Sequence, residues 1–415
     1  MVLNGKMLHM RCVCHIINLI VGDGLKDVHT SISSIRNVVR YVRSSPARLQ
    51  KFKEYVADEN IESKSLLCLD VQTRWNSTYL MLEAALKFQK AFERLEDDES
   101  YSNYFSDGFN EKRIDGPPSD DDWANAKVFV RFLNTFYTLT LKFSGSLYST
   151  SNLYLDRISD VHRQLKSLVN CQDPILSKMA GNMHNKFNKY WGKSERMNHV
   201  LILGMVLDPR YKLAYSRHCL SFIFDENDVD ALIKSVEETL RGMFAEYGER
   251  FTPSTNGSGS QTPSQTSSNV LELSSLNDED IGVKQLWILQ QQAKQCGGTE
   301  VDTYFVEQTE DPTSHDFDIL GWWKGKTKKY PILSEIARDV LASPVSTVAS
   351  ESAFSTSGRI LDNFRSSLTP KMVEACICSK NWFISSREPV VVRQYMDEVQ
   401  TFQDSIEGVP GNVEL

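Results

Sequence analysis

YPILSEIARDVLASPVSTVASESAFSTSGRILDNFRSSL, residues 330–368, is the stretch on which the reading of this 415-residue chain turns. Ile332, Ile336, Val340 and Leu341 recur at helical spacing, and Arg338 and Asp339 fall off that face. Ser343 is a good helix cap and Pro344 is tolerated at a first helical position, so a second helix is predicted to start there. Along it Val345, Val348, Ala349, Ser352 and Ala353 make an apolar stripe. Glu351 lies off the stripe between Ser350 and Ser352. A carboxylate among small side chains has room beside it for a cation, a phosphate or a closely packed neighbour. A solvated helix glutamate is the plainer alternative.

Working outward, hydrophobic content of 41% and aromatic content of 10% are those of a folded protein, and the length predicts two or three units. The net charge of −8 excludes a uniformly basic nucleic-acid binder but not local basic faces. Residues 1–53 carry nine Lys/Arg against two Asp, whereas residues 93–122 carry eleven Asp/Glu against three Lys/Arg. Eight cysteines without regular spacing predict reduced, mostly buried thiols and an intracellular protein. The longest apolar run, around Ile16–Val21, is far short of the roughly 20 residues of a membrane helix, and no secretory signal is visible. Neither a membrane nor a small-molecule substrate is expected as a partner.

Near the start, HMRCVCHIINLIVGDGL (residues 9–25) predicts a largely buried helix that Gly22 and Gly24 break. Cys12 and His15 are three apart and would share one face. They make half a zinc site at most, and with no second pair nearby a structural pair is favoured and no metal is expected. Residues 28–53 predict an amphipathic helix with Arg36, Arg40 and Arg43 on one face, either solvated or facing DNA phosphates, and a new helix from Ser45-Pro46. In LLCLDVQTRWNSTYLML (residues 66–82), Asp70 and Thr73 offer caps to a helix carrying Trp75 and Tyr79. Arg74 and Trp75 read as a surface cation beside a core aromatic, or as an aromatic able to stack on a base.

Helical periodicity runs on from Ala84 to Leu95, and the acidic segment 96–122 reads as a solvated loop. Helices return over residues 123–141, 153–169, 175–191 and 229–251, with a turn at Asp208-Pro209-Arg210-Tyr211. Residues 252–269 hold neither charge nor a large apolar side chain and predict a flexible linker. Residues 301–305 read as a short extended or mixed element. An aromatic segment with Phe317, Leu320, Trp322 and Trp323 leads through four lysines (324–329) back to the opening stretch. Pro370 starts a final helix that ends near Trp382-Phe383, followed by a loose acidic tail.

Three of these stretches together carry a resemblance. RCVCHIINLIV (a CxxH motif, Cys12 and His15), TRWNSTYLML (an RW motif, Arg74 and Trp75) and residues 329–368 resemble the hAT superfamily of transposases, in particular plant transposase-derived proteins of the RICESLEEPER and DAYSLEEPER kind. Order and spacing agree from about residue 9 to 385. The resemblance implies a mainly α chain: a remnant of an RNase H-like fold, interrupted by a large helical insertion, with a C-terminal hAT dimerisation region. It divides the chain into a core remnant (1–27), the helical insertion of the hAT-like transposase RNase-H-fold region (28–251), a linker and lead-in (252–299), the dimerisation region (300–385) and a tail (386–415). It also implies that Glu351 descends from the catalytic glutamate of a metal-binding triad, and that Trp75 descends from a residue that stabilises flipped DNA. Trp322, Trp323, Leu333, Ile336 and Phe354 are the expected dimer contacts. The expected partners are a second copy or a related hAT protein, and DNA, in the nucleus.

In that family a BED-type zinc finger, the early strands and two catalytic aspartates precede the CxxH motif, whereas Met1 here stands eleven residues before Cys12. Two-metal phosphoryl chemistry needs several carboxylates to hold ions about 4 Å apart, and one glutamate cannot do so. The expectation is a DNA-associated, self-associating protein without catalysis or cofactor. The alternatives are part of an active transposase, and a helical interaction module that does not touch DNA.

Overall fold

A computed structural model describes residues 2–5, 7, 9–63, 65–107, 115–145, 147–251, 298–314, 316–351 and 368–385; their regular structure is helical, with no strand among them. The chain forms two units. One holds residues 1–11, 147–164 and 187–345; the other holds 12–146, 165–186 and 346–415. The linker 252–269, Phe354 and the tail lie outside the described residues.

In the second unit, α1 (Val13–Leu25), α2 (His29–Arg43) and α4 (Trp75–Lys87) gather on the long helix α7 (Asp120–Phe143). α3 (Pro46–Asp58) packs on α2 and on the short α5 (Gln89–Glu93). Phe129, Leu133, Phe136 and Phe143 repeat at helical spacing on α7 and are fully buried, which is why the other helices collect there. Two of these starts are capped by side chains. Ser45 accepts from the Arg48 amide at 3.2 Å before Pro46, and Ser119 with Asp122 forms a reciprocal capping box for α7.

The structure corrects several expectations here. α1 runs through Gly22 and Gly24 to Leu25. A Cβ on Gly24 would stand 2.6 Å from the Met183 side chain, so this glycine admits a neighbouring helix rather than ending its own. Asp70 caps no helix. Its carboxylate takes Arg36 Nε and Nη2 at 2.7 Å each and the Thr78 hydroxyl at 2.8 Å. Arg36 is therefore buried, not part of a solvated or DNA-facing stripe. Burial alone would raise the Asp70 carboxyl, but Arg36 and Thr78 outweigh it and hold it below the ordinary value. The acidic segment is not all loop: α6 (Glu99–Asp107) forms within it because Tyr101 and Phe105 bury on one side. The helix expected to run from Ala84 to Leu95 breaks at Phe88, where α4 gives way to α5.

In the first unit, α10 (His199–Val206) is buried on nearly every side. A Cβ on its Gly204 would meet the Ser151 backbone at 2.6 Å, so the 3-10 turn Ser151–Leu153 lies directly against it. α8 (Tyr154–Val169) and α9 (Pro174–Trp191) contribute residues to both units. α11 (Lys212–Ser221) and α15 (Pro331–Leu341) pack on α10, and α12 (Glu226–Phe251) packs on α11 and α15. Residues 301–305 are not extended; they lie in α13 (Glu300–Val306), whose start is a Thr299–Asp302 capping box.

The Asp208–Lys212 turn holds α13 and α14 (Ile319–Lys326) in this unit. Tyr304 donates its hydroxyl to the Val206 carbonyl at 3.0 Å, and Trp323 Nε1 donates to the Leu207 carbonyl at 2.8 Å. Lys212 Nζ donates to the carbonyls of Tyr304 (2.7 Å) and Glu307 (2.6 Å). Burial pulls this ammonium below the ordinary lysine value. Arg210, paired with Asp208 at 2.7 Å, lies over Phe317. Periodicity shows that such residues are buried; it does not show that polar groups at one turn anchor them.

Candidate functional site

α15 buries Ile336, Val340 and Leu341 of its predicted face, with Leu333 buried while the predicted Ile332 is only half-buried, and Arg338 and Asp339 stay exposed. The next helix does not begin at Ser343-Pro344. The Val345 amide is taken by the Thr150 hydroxyl at 3.3 Å, the backbone stays irregular, and the next helical turn begins at Val348.

In the second unit this puts residues 346–351 beside the start of α1. The Thr347 amide donates to Cys12 Sγ at 3.4 Å, and the Cys12 thiol reaches the Ser346 hydroxyl at 3.8 Å. Thr347 in turn donates its hydroxyl to Glu351 Oε1 at 2.7 Å. Thr347 therefore bridges the CxxH motif and the glutamate, two features more than 330 residues apart in sequence. Burial would raise the Cys12 thiol, but the Thr347 hydroxyl and amide, with help from the His15 amide and Ser346, bring it below the ordinary value. Cys14, more deeply placed and against the Thr140 carbonyl, is pushed up by burial.

Cys12 precedes α1, so it does not share a helix face with His15, which is exposed. Among the described residues no group of three or more His, Cys, Asp or Glu is arranged to hold a metal ion. Glu351 is exposed, with Thr347 as its hydrogen-bonding neighbour. Trp75 is 4% exposed and packs on Tyr79 with ring centroids 6.5 Å apart, while Arg74 is exposed. As folded, the indole has no free face for a base.

The expected dimer contacts divide. Trp323, Leu333 and Ile336 are each 2% exposed or less, inside the first unit. Trp322 is half-buried, its Nε1 donating to Glu310 at 2.9 Å. These four serve their own unit's core and its edge; an apolar stripe on a helix reads the same whether it meets its own chain or another. Among the described residues of this region, the exposed large apolar side chains are Val306 at 88% on α13, Leu320 at 46% on α14, and Met372 at 56%, Trp382 at 69% and Phe383 at 71% together on α16 (Pro370–Ser385). A groove of about 430 Å³ runs along that helix, lined by Leu368, Pro370, Val373, Glu374, Ile377 and Cys378. Thr347 and Asp70 carried no functional reading in the sequence; the spacing of Thr347 four residues before Glu351 was the available signal.

Three family models match this chain in order. Residues 10–132 match the ZBED1 RNase-like helical domain, residues 152–247 the RNase-H fold of hAT-like transposases, and residues 300–383 the hAT family C-terminal dimerisation region. The chain belongs to the hAT transposase family. Among hAT relatives it is 32% identical over 390 residues to the zinc finger BED domain-containing protein RICESLEEPER 2 of Oryza sativa subsp. japonica, covering 92% of this chain and 52% of that protein. It is 33% identical over 387 residues to RICESLEEPER 3 of the same organism, 92% and 48% covered. To DAYSLEEPER of Arabidopsis thaliana it is 30% identical over 342 residues, 81% and 44% covered. This hAT chain thus spans about half the length of these relatives. Among its described residues no helix is long and apolar enough to cross a membrane.

Proposed function

We propose that this chain is a nuclear, DNA-associated hAT protein that self-associates through α16 and does not itself cleave DNA. The observation that carries the reading is the contrast within the matched dimerisation region, where α16 displays Met372, Trp382 and Phe383. Exposed apolar side chains grouped on one helix, beside an apolar groove, mark a protein-binding face. A second copy supplies a matching helix.

The absence of cleavage rests on Glu351. Strand cleavage by two metals takes several carboxylates around ions about 4 Å apart, and the neighbour of Glu351 is a threonine hydroxyl. A nicking assay on supercoiled DNA with Mg²⁺ or Mn²⁺ is expected to show no activity above background. Nicking by this chain that Glu351→Ala abolishes would overturn that part. Duplex binding that weakens steeply with salt supports DNA association; its absence leaves a helical interaction module.

A second reading has one observation in its favour. The relatives are about twice as long as this chain, and residues 152–247 match a transposase RNase-H fold. On that reading these residues serve within a longer transposase, and a transcript encoding a BED finger and two further catalytic aspartates would favour it.

A further inference from the structure

The basic face that the sequence singles out, residues 28–53, is largely neutralised from within. Arg36 is paired with Asp70, and Lys51 with Asp98 at 2.7 Å. Arg43 donates to the Leu67 carbonyl, and Arg48 lies 4.2 Å from the Tyr41 ring centroid. A different set of cations in the first unit has ring and carbonyl neighbours but, among the described residues, no carboxylate partner. Asn198, while accepting from the Val200 amide, donates its Nδ2 to the carbonyls of Met7 and His9, both at 3.2 Å. That pins the incoming chain beside the end of α9. Arg11 then lies over the Tyr190 ring with its guanidinium carbon 5.6 Å from the centroid, and Lys189 Nζ stands 5.9 Å from the same centroid. The Arg196 guanidinium donates to the Lys189 carbonyl, and Lys193 lies between them in sequence.

All four cations are exposed, and among the described residues none has a carboxylate within ion-pair distance. The negative end of α9 accounts for Lys189 and Arg196. It does not account for Arg11, which Asn198 brings in from the other end of the chain. Four cations against the one exposed carboxylate in their turn, Glu195, leave a net positive local potential in a chain of net charge −8.

The geometry points to Arg11 and Lys189 at the Tyr190 ring, with Lys193 and Arg196 in the turn that follows α9, as a face that contacts the phosphate backbone of duplex DNA. The inference rests on the DNA association proposed above and gives it a location. The contact is electrostatic and indifferent to base sequence, because phosphates carry no sequence information.

The test uses the full chain and a short labelled duplex of random sequence, with affinity read by fluorescence anisotropy across a salt series. Each phosphate neutralised contributes about 0.9 to the slope of log affinity against log salt. Replacing all four cations by alanine is expected to flatten that slope by about 3 to 4 and to weaken binding more than tenfold near 0.1 M salt. The charge-keeping variant Arg11→Lys, Lys189→Arg, Lys193→Arg, Arg196→Lys is expected to bind like the parent, which separates loss of charge from loss of fold. A control removes Lys324 and Lys326 of α14 and Lys328 just after it. If the four-alanine chain keeps its circular dichroism and melting behaviour but loses no more slope than that control, the assignment is wrong. If the parent chain shows no salt-dependent binding, the DNA reading and this location fall together.

Discussion

α15 and α16 lie in the same matched region and both carry apolar residues at helical spacing, yet they are used in opposite ways. α15 buries Leu333, Ile336, Val340 and Leu341, and its first amides are held by Glu300, which accepts from Leu333 at 2.8 Å and from Ile332 at 3.1 Å. α16 leaves Met372, Trp382 and Phe383 in solvent. Apolarity alone therefore does not mark the surface for another chain. Among the described residues, polar anchors elsewhere in the same unit hold α14 and α15. They are the Leu207 carbonyl for α14 and Glu300 for α15.

The contrast can be broken first at Trp323. Trp323→Ala empties a core site and orphans the Leu207 carbonyl, so a loss of about 3–5 kcal/mol is expected in denaturant unfolding. A loss below about 1 kcal/mol would mean that α14 is not anchored as described. Lys212→Met comes next. It leaves buried carbonyls of Tyr304 and Glu307 unpaired, with about 2–3 kcal/mol expected. An unchanged melting temperature would show that the ammonium is not needed there.

Glu300 gives a smaller effect and a pH signature. Burial outweighs its amide hydrogen bonds and holds the carboxyl above its ordinary value. A folded value above the unfolded one means that the stability this group contributes is fully present below about pH 4.3 and is lost as pH rises through the folded value. Glu300→Gln is therefore expected to remove that slope. It should gain less than about 1 kcal/mol relative to the parent above that window, solvent screening limiting the size. A parent and variant with parallel pH–stability curves would contradict it. Smallest in stability is the change on α16: Met372→Glu with Phe383→Glu is expected to stay within about 0.5 kcal/mol of the parent. A large loss would mean that α16 is part of the core.

Much of the fold could be read from the sequence because helices advertise themselves by period and by caps. Ser45-Pro46 and Pro370 each mark a helix start that the structure confirms. Long-range pairing was not legible. Nothing local says that Asp70 belongs to Arg36, that Gly24 makes room for Met183, or that Thr150 takes the amide of Val345 and delays the next helix. In the candidate site, Cys12 and Glu351 were visible as motifs, but Thr347, which joins them, became visible only once the chain was folded. Three of the expected dimer contacts illustrate the same point. Trp323, Leu333 and Ile336 have the composition of an interface and the location of a core.

The most direct test of the central claim, self-association through α16, is light scattering on the full chain at micromolar concentration beside the Met372→Glu, Phe383→Glu variant. The account predicts a parent mass above that of the 47.3 kDa monomer and a folded, monomeric variant. A monomeric parent, or a variant that associates as the parent does, would contradict it.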